Sequence, residues 1–503
     1  MNRIKFFLAA LMLCLWVIGP IGCVFAADDN FYLDFEFDSL NTFDSTRKDY
    51  NELLYDNTAS APRFVARQYD KSFLNTYNDM FLALRGDLNE TQFLDIKETL
   101  GLVHYNEQDY YSRAKNGRKL KELDHELNVS YGIAVGDHDF FQLDYFNTYY
   151  DVAEFKEWQI RSNKATGLFC HDFSQKACFA VTGAYEEREY EFDPVSDYKE
   201  AEVGFELAGY ISGKTRFVPV AASARGDRSY FENFPNGLSA RKAVDYYTDW
   251  TKNPHDPDPR AKYQKIKTRG DLFLRLYADA HTQELTNLDN RSSGGGIGLE
   301  ASYELAENLV FGLNNYYQKK DWKNESRANF LFDHYANVFS LSATWYSSEN
   351  LQQTFRFIDE FVENDKFSDE NYRTGILRYS GNYYAESSRL FINAQALRRR
   401  FDQNRSFYSD EDEISLSGGW HYNITDQILF KLRSEYIDTD YNNFENLYLA
   451  SFIRTNWRAG IEKKLSQNHS LEVAYQENSE NFDNFDGNNI SEKSFNFSWL
   501  MHF

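Results

Sequence analysis

The feature that most restricts this chain is a period-two alternation of apolar and polar residues, renewed in short segments from about Asn78 to the last residue. Leu127, Val129, Tyr131, Ile133 and Val135 alternate with Asn128, Ser130, Gly132 and Ala134. Ile297, Leu299, Ala301, Tyr303 and Leu305 alternate with Gly298, Glu300, Ser302 and Glu304, and Ile414, Leu416, Trp420 and Tyr422 alternate with Ser415, Ser417, Gly419 and His421. Successive side chains of a strand point to opposite faces, so each segment reads as a strand with one greasy and one polar side. Two architectures accept a long series of such strands. One is an antiparallel sheet with a wet face, the other a barrel wall with lipid outside and water inside.

The polar sets and the connections decide between them. Glu202 and Glu206 flank Gly204, and Lys431, Arg433 and Glu435 share one face, charges that a packed sandwich core would not accept. Water lies on that side. Connections alternate in length: LAEN, SSEN, AESS, ITDQ and LSQN are short, and between them lie KKDWKNESRANF, ENDKFSDEN, FDQNRSFYSDEDE, DTDYNNFENLY and ENSENFDNFDGNN. Tight turns at one rim and long polar loops at the other mark a membrane barrel, with periplasmic turns and extracellular loops. The expected fold class is all-β, a transmembrane antiparallel up-and-down β-barrel of about 18 to 22 strands, with about 20 the central expectation.

The last ten residues, SFNFSWLMHF, place Phe495, Phe497, Trp499, Met501 and Phe503 on one face. This strand resembles the terminal strand of bacterial outer-membrane β-barrel proteins, and the similarity of organisation covers nearly the whole mature chain. The resemblance implies location in a Gram-negative outer membrane, among its lipid and lipopolysaccharide, and reading of the final strand by the barrel assembly machinery. It does not select a member, whether porin-like or polysaccharide-export-like. An open sheet edge in lipid would leave backbone groups unsatisfied, so the last strand is expected to close the ring.

Residues 1–26 carry Arg3 and Lys5, an apolar run from Phe6 to Ile18, and Val24-Phe25-Ala26 before Ala27. That is the pattern of a secretory signal peptide. Cys23, after Pro20-Ile21-Gly22, resembles a lipoprotein box without its leucine, and the ordinary cleavage after Ala26 competes with it. Residues 27–503 are then expected to form a single barrel domain. FYLDFEF, Phe31 to Phe37, reads as the first strand with Asp38 to Asp70 a loop; the alternative for 28–73 is a short periplasmic arm. The pattern is irregular between Tyr150 and Lys199 and between Gly226 and Thr268. Cys170 and Cys178 fall in the first of these stretches, and an exported compartment permits a disulfide between them.

A formal net charge of −23 argues against nucleic acid as a partner, because that affinity comes from Lys and Arg on phosphates. No stretch after the signal is apolar enough for a membrane helix. With 36 Tyr, 43 Phe and only 8 Pro, the composition is that of strands. The acidic loops, SDEDE and DNFDGNN, lack the ordered ligand spacing of a calcium loop, so no metal residue and no cofactor is expected.

A barrel of this size cannot fill its lumen from the wall alone, so it holds an aqueous channel or a plug. Nothing ahead of the first strand reads as a plug domain. Among inward positions, Glu202, Glu206, Glu300 and Glu304 lie in mid-chain with Arg275 and Asp279, whereas Arg356, Arg378, Lys431, Arg433, Arg454 and Arg458 come later. Sequential strands are neighbours, so acids are expected on one wall and bases on the opposite one, a transverse field for polar solutes. The competing reading is that these charges pair across adjacent strands and stiffen the wall. Tyr210, Tyr277, Tyr316 and Tyr346 are inward candidates for stacking sugar rings.

The function expected is a channel for diffusion or export of polar solutes, oligo- or polysaccharide among them, with a periplasmic or export-complex partner. The alternative is a sheath enclosing another exported protein, for example an electron-transfer cytochrome. A hydrolase stands last. His421, His469 and His502 sit on separate segments with no Ser or Asp constellation, so no catalytic residue is assigned.

Overall fold

The computed structural model of the chain describes residues 31–54, 63–89, 91–104, 121–136, 138–152, 159–174, 177–190, 197–212, 272–306, 308–325, 331, 333–348, 350–367, 371–402, 409–441, 451–466, 469–482 and 489–502. They form twenty strands: β1 (Phe31–Leu54), β2 (Arg63–Asn89), β3 (Gln92–His104), β4 (Lys121–Val135), β5 (Asp139–Val152), β6 (Ile160–Ser174), β7 (Ala177–Tyr190), β8 (Tyr198–Ser212), β9 (Leu272–Leu285) and β10 (Asn290–Ala306). The second half comprises β11 (Leu309–Trp322), β12 (His334–Ser348), β13 (Leu351–Asn364), β14 (Tyr372–Tyr384), β15 (Ser388–Phe401), β16 (Glu411–Thr425), β17 (Ile428–Tyr441), β18 (Phe452–Lys464), β19 (His469–Phe482) and β20 (Ile490–His502). Each strand pairs antiparallel with the next in sequence, and β20 pairs with β1 from Glu36↔His502 to Lys48↔Ile490, closing the ring. An even number is what antiparallel closure requires.

Connections alternate as the sequence indicates. Those from β10 to β11, β12 to β13 and β16 to β17 have two residues each, and β-bulges at Glu304/Ala306, Tyr346/Ser348 and Asn423/Thr425 sit beside them. Bulges at barrel rims bend the strand into its turn. β8 ends and β9 begins at this same rim, with residues 213–271 between them. At the opposite rim most strand ends are farther apart in sequence, as from β3 to β4 and from β11 to β12, the four-residue β9–β10 turn being the exception.

One face of the wall is apolar and exposed. Leu143 (63 %), Ile297 (61 %) and Ile414 (60 %) belong to it, with Val203, Phe205, Leu207, Leu341, Phe357, Leu377, Leu432, Val473, Phe495 and Phe497. In water such a continuous surface would be far larger than the apolar patches soluble proteins tolerate, whereas lipid matches it. Trp345, Tyr383, Tyr422 and Trp499 lie on this face near the short-turn ends of their strands, where an aromatic girdle belongs. Strands of 13 to 15 residues exceed the roughly 9 to 11 needed to cross tilted, so they extend beyond the bilayer. Twenty strands about 4.8 Å apart, tilted by about 40°, give a round section a backbone diameter of about 40 Å.

Three expectations change. β1 continues to Leu54 and β2 begins at Arg63, paired from Phe31↔Gly86 to Leu54↔Arg63, so strand occupies most of the stretch read as a loop from Asp38 to Asp70. The irregular stretch from Tyr150 to Lys199 holds two full strands, β6 and β7, because short polar residues weaken the alternation without breaking the ladder. Cys170 and Cys178 are buried and not joined to each other. Cys170 stands opposite Ala180 and Cys178 opposite Asp172, a diagonal placement. Diagonal side chains lie about 7 to 8 Å apart, beyond disulfide reach. They flank the tight β6–β7 hairpin. The signal peptide, Cys23 and Phe503 lie outside the described residues, as does the side chain of Met501.

Candidate functional site

Register fixes which residues share the inner face. On β8 these are Glu200, Glu202, Gly204, Glu206 and Ala208; their partners on β9 are Gln283, His281, Asp279, Tyr277 and Arg275. On β10, Gly296, Gly298 and Glu300 face Asp279, Tyr277 and Arg275. All twelve charged residues singled out from the sequence, Glu202, Glu206, Arg275, Asp279, Glu300, Glu304, Arg356, Arg378, Lys431, Arg433, Arg454 and Arg458, stand on the face opposite the apolar belt.

They divide into two clusters. In the first, Arg275 bridges two strands: Nε and Nη2 lie 2.9 and 3.0 Å from the carboxylate oxygens of Glu206, and Nη1 lies 3.0 Å from Glu300. Arg275 is 7 % and Glu206 4 % exposed, so each charge depends on the other. Beside them the Tyr277 and Tyr316 rings stack 5.7 Å apart and nearly parallel, with Tyr277 donating to Asn314 and Tyr316 to Asp279 at 2.7 Å. His281 Nδ1 lies 3.6 Å from the other oxygen of Asp279.

The run Gly294-Gly295-Gly296-Ile297-Gly298 explains the tyrosines. A Cβ on Gly296 would stand 1.9 Å from the Tyr316 hydroxyl, and one on Gly298 would stand 2.1 Å from Tyr277 Cζ. Glycine lets both rings lie flat on β10, a close approach that any side chain blocks. Gly298→Ala is therefore expected to displace Tyr277 and lower stability by about 1 to 3 kcal/mol. Denaturant unfolding of the refolded barrel measures it, and Gly298→Ala combined with Tyr277→Ala should lose less than the two changes added.

The second cluster lies on β13 to β19. Lys431 Nζ holds Glu462 at 2.9 Å and Glu472 at 2.8 Å, Arg458 holds Glu472 at 2.6 Å, and Arg454 holds Glu480 at 3.2 Å. Arg378 donates to Gln395 at 2.6 Å, and Gln395 donates on to Glu413. Two like-charged pairs face each other directly in register, Arg356 with Arg378 and Arg433 with Arg458. Opposed like charges destabilise a sheet, so these positions are held against a local cost. Phe391 lies over Gly419 with the guanidinium carbons of Arg389 and Arg433 5.6 and 5.8 Å from its centroid, and His421 packs edge-on to it.

Cross-strand pairing among the inward charges is extensive, and the strands differ in their balance of acid and base. Inward acids Asp124, Glu126, Asp144, Glu186, Glu200, Glu202, Glu206, Asp279, Glu300 and Glu304 lie on β4–β10, with Lys164, Arg188 and Arg275 among them. Arg356, Arg378, Arg389, Arg399, Lys431, Arg433, Arg454 and Arg458 lie on β13–β18, nearly balanced by the acids Glu360, Glu411, Glu413, Glu435 and Glu462 on the same strands and Glu472 and Glu480 on β19. In a ring of twenty, β8 stands across from β18.

The other singled-out residues are kept apart. Tyr316 and Tyr346 are buried, so they offer no open ring for a sugar. His421 is on the inner face and fully buried, whereas His469 is on the outer face, stacked near Trp499. No joint site is possible for those two. No group of three metal-ligating side chains occurs among the described residues. The sequence reading missed Arg389, Glu360 and the glycine track. The GGGIG run was the available signal for the last.

No protein-family model and no curated protein sequence matches the chain. Solved structures do. The copper transporter OprC superposes with a TM-score of 0.50 at 8 % identity, over 94 % of this chain and 80 % of that one. The fold is that of an outer-membrane β-barrel. The ferric citrate transporter FecA in its unliganded form gives 0.49 at 9 % identity, over 93 % and 79 %. OccAB4 of Acinetobacter baumannii gives 0.40 at 10 % identity, over 94 % and 99 %. At such identities the likeness is one of fold. It accords with the exposed apolar belt, the girdle and the closed ring of a membrane barrel.

Proposed function

We propose that the barrel is a channel for polar solutes across the outer membrane, in which the β13–β18 wall guides anionic groups and the β4–β10 wall guides cationic ones. The observation that carries this reading is that a strongly acidic β4–β10 wall faces one in which cations offset the acids, together with the like-charged arginine pairs Arg356–Arg378 and Arg433–Arg458. Opposed rows of opposite sign orient a polar solute in transit and favour one with separated charges. A neutral polysaccharide asks for a track of open aromatic faces, and burial of Tyr316 and Tyr346 weighs against it. Assembly rests on β20, whose outward Phe495, Phe497 and Trp499 suit recognition by the assembly machinery.

The test is single-channel recording of the refolded mature protein in a planar bilayer under a potassium chloride gradient. Steady conductance is expected. Replacing Arg356, Arg378 and Arg433 together by glutamine should shift the reversal potential toward cation selectivity, lowering the anion-to-cation permeability ratio by about twofold or more. A folded but silent barrel that co-purifies with a second protein would overturn the channel in favour of a sheath.

A further inference from the structure

The first two strands outrun the wall they belong to. β1 has 24 residues and β2 has 27, whereas the remaining strands have between 13 and 17. β20 pairs with β1 only as far as Lys48, and β3 pairs with β2 only from Thr76, yet β1 and β2 stay paired to each other from Lys48↔Tyr69 to Leu54↔Arg63. Because β2 meets β3 at the short turn after Asn89, the excess lies at the long-loop rim, where a two-stranded ribbon continues past its neighbours. Among the described residues no strand pairs with the far edge of β2 from Arg63 to Asn75, a length of roughly 40 Å at about 3.3 Å per residue.

Alternate residues of that stretch direct N–H and C=O toward β1, and those between them direct the same groups to the open edge. An edge of this kind is a template for one further strand. Its sequence, RFVARQYDKSFLN, says which. Arg63, Arg67 and Lys71 recur every fourth residue and so share one face with Val65, Tyr69 and Phe73. On β1 they stand in register with Leu54, Tyr50 and Thr46, none of them acidic; the acids of this face are Glu52, opposite Val65, and Asp44, opposite Phe73, with Lys48 between them. The face therefore carries four cations and two acids, and three of the cations lie on the strand with the open edge. The reverse face holds Arg47, Asp49 and Asp70.

We propose that the β2 edge binds an extended acidic segment of a partner polypeptide by strand addition. Backbone groups of Arg63 to Asn75 supply the ladder, and cross-strand neighbours set the choice of sequence: residues opposite Arg63, Arg67 and Lys71 are acidic, and those opposite Val65 and Tyr69 are apolar. The cations that keep this edge from pairing indiscriminately are the ones that select the partner. A second copy of the chain fits worse. Full-length self-pairing, centred on Tyr69, sets Arg67 of each copy against Lys71 of the other, like charges that destabilise a ladder.

The test is fluorescence anisotropy of a labelled peptide titrated with the refolded full mature barrel in zwitterionic micelles. The peptide is as long as the open edge, with glutamate at every fourth position and valine or threonine between. Saturable binding is expected. The same peptide with lysine for glutamate, or with two adjacent central residues replaced by proline, should bind about tenfold more weakly or worse, because the first opposes like charges and the second removes ladder donors. Arg67→Glu with Lys71→Glu should reverse the preference, so that the lysine peptide binds more tightly than the glutamate peptide. Equal binding of the proline peptide overturns strand addition in favour of charge alone. No binding by the wild-type barrel, or an unchanged preference in the double variant, overturns the site. Peptide binding that disappears as barrel concentration rises and dimers form would give the edge to a second copy and overturn the proposal as well. The three peptides on the wild-type barrel need no variant, and Arg67→Gln alone, expected to weaken the glutamate peptide about threefold, serves if the double variant does not fold.

Discussion

Replacing Arg275 by methionine is expected to destabilise the folded barrel by about 3 to 5 kcal/mol, the largest loss expected from one inward residue. The reason lies in what remains. Glu206 is almost fully buried, takes one hydrogen bond from Arg275 Nη2 and lies 2.9 Å from its Nε, and Glu300 takes a second hydrogen bond. Removing the guanidinium strands a carboxylate at low dielectric within reach of a second one, and protonating it costs further free energy at neutral pH. Equilibrium unfolding of the refolded protein in denaturant gives the number. The double change Arg275→Met with Glu206→Gln should recover much of the loss, because the pair is then removed and not broken. Equal losses in the single and double variants would show that packing on Tyr277, whose ring lies 5.1 Å from the guanidinium carbon, matters more than charge.

Leu432→Arg should destabilise the barrel by about 2 to 4 kcal/mol through the opposite face. Leu432 is outward in the middle of the apolar run of β17, with Phe430 before it and Tyr436 after it, so the new cation would stand in hydrocarbon. Lys431 is its inward neighbour and makes a useful comparison. Its ammonium joins Glu462 and Glu472, so Lys431→Ala also has a cost, but lumen water can hydrate the carboxylates left behind. The yield of folded, heat-modifiable barrel in lipid vesicles should therefore fall further for Leu432→Arg. A larger fall for Lys431→Ala would mean that this part of the inner wall is dry.

Faces were far more legible in the sequence than partners. Side-chain direction in a strand follows from position alone, so outward Leu432 and inward Lys431 could be assigned from alternation, and every charged residue singled out falls on the inner face. Partners depend on register, which alternation cannot fix. Arg275 with Glu206 joins residues 69 apart in the chain, and Lys431 with Glu472 joins residues 41 apart. Cys170 and Cys178 were close in sequence and still misread, because a hairpin with a bulge sets them diagonally. The extension of β1 to Leu54 was missed for a related reason. From Asp38 onward polar residues fall on both parities, and the strand is held by its pairing with β2 and not by a local pattern.

By itself the sequence determined that this chain makes many antiparallel strands, which side of each meets lipid and which meets water, and which rim carries the short turns. These are local properties, set by a period of two and by the residues of each connection. Only the tertiary structure decided that the ring closes at twenty strands between β1 and β20, that glycines of β10 seat two tyrosines, and which inward charges neutralise one another. Those outcomes rest on register summed around the whole barrel, where a shift of one residue at any hairpin would turn every later side chain to the other face.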